Sequence, residues 1–136
     1  MKHSLALLSG LGMAFAMVSG ACVAQTSFDF GKNEFMASCA SCHGVGAKGD
    51  GAVSRSLVKA PSDLTTMAKR NGGVFPVQYA WEVIDGRSTR QVGSHGPREM
   101  PVWGYIYRAE DTQPADLHAR NRISSLLDYL ARIQVK

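Results

Sequence analysis

Apolar positions along the chain recur with a helical period between glycine-rich stretches, and no run shows the strict alternation of a strand. Asp29 stands before a short periodic run through Phe35 to the Cys39 region, where a carboxylate can accept from the free amides of a first turn. In "LTTMAKR" the residues Leu64, Met67 and Ala68 share a face, with Ser62 or Asp63 as the cap and Gly72-Gly73 as the stop. "PVQYAWEVIDG" opens with Pro76 at a first-turn position and places Val77, Ala80, Trp81 and Ile84 at i, i+3, i+4 and i+7 before Gly86 ends it. A final amphipathic segment begins near Pro114 and carries Leu117, Ile123, Leu126, Leu127, Leu130 and Ile133. Met36, Met67 and Trp81 are assigned to the core. Between the helices lie "HGVGAKGDGA" and "GRSTRQVGSHGPREMPVWG", which are too long to be idle connections in so small a domain. There is no internal repeat and no low-complexity linker, so residues 25–136 are expected to form one all-α domain.

The first 24 residues depart from this pattern. Lys2 and His3 are followed by the uncharged apolar run "LALLSGLGMAFAMV" and then by the small residues of "SGACVAQ". That order of basic, apolar and small-residue regions predicts a signal peptide over residues 1–24, cleaved near Ala24, and export to a periplasm. The competing reading is a retained anchor, although the run falls short of the roughly 20 residues a span needs and has no charged stop after it. Cleavage removes Cys22 and leaves two cysteines in the mature chain, Cys39 and Cys42. Acylation of Cys22 is the alternative, disfavoured by Ser19 standing where a lipoprotein signal has a leucine-like residue. Composition adds only limits. With 45% hydrophobic and 19% charged residues in 136, one compact core is expected. The formal charge of +4, or +3 once Lys2 is removed, is scattered over residues such as Lys59, Lys69, Arg70, Arg87 and Arg98. No basic stripe forms, which argues against nucleic acid as a partner.

The chemistry is concentrated in residues 39–51, "CASCHGVGAKGDG". Cys39 and Cys42 are three apart, so their sulfurs share one side of a helical turn. A zinc clip needs a second pair of ligands at similar spacing, and the remaining histidines, His95 and His118, are isolated. A thioredoxin-like dithiol needs strand–helix alternation around it. C-x-x-C followed at once by His is instead the attachment signature of c-type haem, with Cys39 and Cys42 forming thioethers and the imidazole of His43 facing the iron. Met100 is the candidate for the second axial position, because it lies in a loop that Pro101 stiffens; His95, in a glycine-rich stretch, is the competing ligand. Arg87, Arg98 and Trp103 are candidate donors to haem propionates. Gly44, Gly46, Gly49 and Gly51 let the backbone turn tightly near the haem, and Lys48 and Asp50 are read as solvated.

Together these residues resemble the small class I cytochromes c of bacteria, in the same order and over nearly all of the mature chain. "GKNEFMASCASCHG" looks like that family's first helix and haem site, "MPVWG" like its distal-ligand loop, and "LLDYLARI" like its last helix. The resemblance implies that Gly31 and Phe35 cross the last helix at Leu126, Tyr129 and Leu130, and that Pro61 in "APSDL" offers its carbonyl to the haem-ligand imidazole. The fold it implies is the all-α cytochrome c fold, short helices and glycine-rich loops wrapped around one covalent haem c. The activity it implies is one-electron transfer with His/Met ligation and no substrate transformed. The expected partners are redox proteins, a dehydrogenase, a reductase or a terminal oxidase, met transiently by a monomer with no membrane span in its mature chain. Lys32, Lys48, Lys59 and Lys69 are too thinly spread for partners to be read through a lysine ring. Two alternatives stay open: a cytochrome subunit of a periplasmic dehydrogenase or reductase complex, and a haem enzyme or gas sensor with a labile methionine.

Overall fold

The computed structural model describes residues 28–87, 100–110 and 114–135. Residues 1–24, expected to be a signal peptide and containing Cys22, lie outside the described residues, as do His95 and Arg98. The described chain is helical, with no strand among those residues: α1 (Phe30–Ser38), α2 (Ala40–His43), α3 (Met67–Arg70), α4 (Val77–Asp85), α5 (Trp103–Ala109) and α6 (Ala115–Arg132), with 3₁₀ turns at Ser54–Ser56 and Leu64–Thr66. α6 is the spine, packed against α1, α4 and α5.

The local signals for helix ends act as expected. Asp29 Oδ1 accepts from the Lys32 amide at 3.0 Å and caps α1. Asp63, rather than Ser62, caps the turn leading into α3, accepting from the amide and hydroxyl of Thr65 at 2.8 and 2.6 Å. α4 begins after Pro76 and stops at Gly86, whose φ of 80° is left-handed. At the far end, Gln134 accepts from the Ala68 amide and donates to the carbonyls of Leu64 and Leu130, so the tail after α6 is tied to the α3 segment.

α1 and α6 meet almost backbone to backbone. A Cβ at Gly31 would lie 2.0 Å from the Ser125 carbonyl oxygen and 2.8 Å from Tyr129 Cβ, so only hydrogen fits. One turn on, Phe35 is fully buried and its ring sits 5.3 Å from that of Tyr129. Ile123, Leu126, Leu127 and Leu130 supply the inner stripe of α6.

Three apolar assignments need correction. Met36 is 43% exposed, because Gly31 and Phe35 set the inward face of α1 and Met36 falls outside it. Val77 and Leu117 are likewise exposed, at the first turns of α4 and α6 before those helices reach the core. α5 is a helix where a loop was expected up to Gly104, and it contributes Tyr107, the largest fully buried side chain.

Tyr107 belongs to an ionic hub linking α1, α5 and α6. Its hydroxyl donates to Glu34 Oε1 at 2.6 Å, and Arg122 donates to both oxygens of Glu34, Nε to Oε2 at 2.9 Å and Nη2 to Oε1 at 3.0 Å. Ser38 also donates to Glu34 at 2.6 Å, Arg122 reaches Glu110 at 2.5 Å, and its guanidinium lies 3.9 Å over the Tyr107 ring. Burial alone raises the Glu34 pKa, but the Arg122, Ser38 and Tyr107 donors and the Arg122 charge outweigh it and hold the carboxyl below its ordinary value. Tyr107 is pushed well above the usual phenol range, by burial first and by the Glu34 bond second.

Gly31→Val is expected to destabilise the fold by about 1–3 kcal/mol or more, read as a lower denaturant midpoint, because the two backbones must separate. Glu34→Gln is expected to cost about 1–3 kcal/mol at neutral pH. A depressed folded pKa stabilises above the unfolded value of 4.5, and that contribution fades as pH falls through the folded pKa. The stability gap between wild type and Glu34→Gln should therefore begin to narrow as pH falls below 4.5 and close only below the depressed folded pKa; a gap of constant size would contradict the hub's charge state.

Candidate functional site

α1 ends at Ser38, and the chain turns at Cys39 directly into α2. The amides of Cys42 and His43 both donate to the Cys39 carbonyl, at 3.2 and 2.9 Å, which closes the turn bearing both sulfurs. The glycine-rich stretch that follows folds back along this turn. The amides of Gly49, Gly51 and Val53 donate to the carbonyls of His43, Cys42 and Ser41 at 2.8, 3.1 and 3.0 Å. These bonds satisfy carbonyls that a four-residue helix leaves open. Lys48 and Asp50 are exposed, as read from the sequence, although the Asp50 carboxylate lies against Gly44, where a Cβ would be 1.9 Å from Oδ1.

The same stretch places the acceptor for the imidazole. Leu64 donates its amide to the Ala47 carbonyl at 2.8 Å, which brings residues 61–64 against the motif. His43 Nδ1–H then donates to the carbonyl of Ser62 at 3.1 Å. The expected acceptor was Pro61; the bond falls one residue later. A neutral ring protonated on Nδ1 carries its lone pair on Nε2, the nitrogen suited to a metal.

Two adjoining lobes of one cleft surround this turn, and Cys39, His43 and Met100 line both. The inner lobe, about 550 Å³ including its opening, is walled by Phe35, Leu64, Met67, Ala80, Ile84 and Leu130 among others. The outer lobe, about 710 Å³ including its opening, is lined by Cys42, Leu57, Pro61, Pro101 and Trp103 with the shared residues. The walls of both lobes are mostly apolar, as those of ligand sites are.

The donor set tests what could be held there. Among the described residues no three His, Cys, Asp or Glu side chains converge into a metal cage. The cleft instead offers one imidazole, the thioethers of Met67 and Met100, and two thiols not joined as a disulfide. Burial, helped by the neighbouring Glu34 carboxylate and Cys42 sulfur, pushes the Cys39 thiol up to about 12. A sulfur in that setting is stable as a neutral thioether and poorly suited to a thiolate–metal bond. The residues fit a flat apolar cofactor attached through sulfur, with iron between a nitrogen and a soft sulfur donor.

The remaining assignments divide. Trp103 and Pro61 line the outer lobe. Arg87 lines neither lobe; its guanidinium pairs with the buried Asp85, which draws it to the base of α4. Several wall residues were not anticipated, among them Tyr79 and Val83, which belong to the cleft because α4 turns that side toward α1 and α6. Tyr79 and Val83 directly precede Ala80 and Ile84 of the predicted stripe, and only the packing of α4 shows that this flank faces inward.

The family model for cytochrome c matches residues 28–119. No curated protein and no solved structure matches the chain significantly. An all-helical chain whose cleft presents the C-x-x-C-H turn, matched by that family over most of its length, belongs to the cytochrome c family: it holds haem c covalently and serves electron transfer.

Proposed function

We propose that this chain is an exported one-electron carrier of the bacterial class I type, with thioethers at Cys39 and Cys42 and axial ligands from His43 and Met100. The observation that carries the reading is that His43 and Met100 line the same two lobes while the His43 ring is fixed through Nδ1 on Ser62 O. The haem, when bound, supplies the ferric–ferrous couple.

The chain's own residues do four things. Cys39 and Cys42, on one turn, fix the cofactor's position and tilt. The Ser62 carbonyl orients the His43 ring and makes it a better donor. Met100, followed by Pro101, presents a soft sulfur, a ligand pairing that raises the reduction potential. Phe35, Leu64, Met67, Ile84, Leu126 and Leu130 exclude water and give a low-dielectric wall, which disfavours the extra charge of the ferric state. Among the described residues lining the outer lobe, Ala37, Ser41 and Pro101 are exposed and none is charged. That small, neutral rim suits brief docking of a redox partner rather than recognition through a ring of charges. Among the described residues no helix is long and apolar enough to cross a membrane. The leader over residues 1–24 would direct the chain to the periplasm.

An optical spectrum of the ferric protein is expected to show a methionine–iron charge-transfer band, and the ferrous form is expected not to bind carbon monoxide. In Met100→Ala the band should vanish, the potential fall and carbon monoxide bind; an unchanged potential would sink this ligand assignment. Cys39→Ser or Cys42→Ser should leave haem that is lost more readily under denaturing conditions, measured by haem stain. Sequencing the protein recovered from the periplasm should give Gln25 as the first residue; a start at Met1 would mean a retained anchor.

A further inference from the structure

The chain leaves α4 through Gly86 and Arg87 and re-enters the described structure at Met100, two residues before Val102 caps α5. The two ends meet. A Cβ on Gly86 would lie 2.2 Å from Val102 Cγ1, and one on Gly104 would lie 2.0 Å from Asp85 Oδ1. Between them sits the side chain of Asp85, 1% exposed at the last residue of α4. Arg108 of α5 donates from Nη2 to Asp85 Oδ1 at 2.7 Å and from Nε to Asp116 of α6 at 2.8 Å. Arg87, on the departing chain, faces Asp85 Oδ2 as a charge pair without an aligned hydrogen bond.

A carboxylate this deeply buried is costly to desolvate and is retained where something depends on the geometry it fixes. Asp85 touches no lobe of the cleft, so it is not a haem contact. What it does touch is the point of departure (Arg87), the first turn of α5 (Gly104) and, through Arg108, the start of α6. It therefore pins together the two ends of the segment that delivers Met100. Holding those ends restricts the positions open to a side chain two residues from the clamp, and restriction of that kind keeps a weak ligand in place.

We propose that Asp85 is a positioning residue for Met100: its buried ion pairs with Arg87 and Arg108 clamp the base of the methionine segment and keep the sulfur on the iron. The inference rests on the His43/Met100 reading. Without the clamp, conformations with Met100 withdrawn gain population, and an external ligand binds more tightly in proportion to that population. The carboxylate acts through Arg87, Arg108 and the packing of Gly104, and takes no part in electron transfer itself.

The test uses ferric holoprotein titrated with imidazole, following displacement of the methionine–iron band, alongside a denaturant melt of each variant. Asp85→Asn should be half-displaced at an imidazole concentration about tenfold lower than wild type. Glu34→Gln, which weakens a hub on the other side of α5, should stay within about twofold despite its lower melt. Gly104→Ala, which forces the same carboxylate aside, should behave like Asp85→Asn and serves if that variant yields no holoprotein. Asp85→Asn shifting no more than Glu34→Gln overturns the inference while leaving the ligand assignment intact. A wild-type protein with no methionine band overturns the ligand assignment, and the clamp's role falls with it.

Discussion

The close approach of α1 to α6 at Gly31 is the contact on which the other parts depend. With a hydrogen where a side chain would stand, the α1 backbone comes against the Ser125 carbonyl, and Phe35 drops beside Tyr129 one turn later. That crossing sets where α1 ends, and α1 ends at the cysteine turn. Leu126 and Leu130, the wall of the inner lobe, lie on the same stripe of α6 that receives Phe35. Moving the crossing would move the attachment turn and one wall of the cleft together.

Two buried carboxylates flank α5, and they differ in what they join. Glu34 is satisfied from three sides by Arg122, Tyr107 and Ser38, and it locks α1, α5 and α6 into one block. Asp85 is shared between two arginines on either side of a chain excursion. One carboxylate consolidates α1, α5 and α6, while the other lies where the end of α4 meets the first turn of α5, beside the Gly86–Val102 contact. Neither lines the haem cleft.

Much of this was legible in the sequence because the signals were local or spaced by a fixed period. Asp29 and Gly86 act on the turn they belong to, and the Cys39–Cys42–His43 spacing is set by one turn of helix. The inner face of α6 followed from its period from Ile123 onward. What was missed depended on distant partners. Met36 and Leu117 are apolar, yet the crossing angles leave them outside. α5 is too short to show a period, and the buried role of Tyr107 comes from Glu34 and Arg122, 73 and 15 residues away in sequence. The imidazole acceptor was placed on Pro61 by the resemblance of "APSDL" to the family's proline-containing segment, whereas the Leu64–Ala47 bond sets the register and gives the role to Ser62. Arg87 was drawn off by a buried aspartate that the helical pattern alone gave no reason to expect.

The burial of Cys39 has a consequence for how the protein is assembled. In the closed fold this sulfur is 8% exposed and its proton is held so firmly that little thiolate exists near neutral pH. Its walls include α6, which is made last, almost a hundred residues after α1 begins. Until that helix docks, the cysteine turn is an open strip of chain with both sulfurs reachable. Cofactor attachment thus belongs to the still unfolded chain, and closure of α6 over α1 comes afterwards, with the bound group as part of the core being closed.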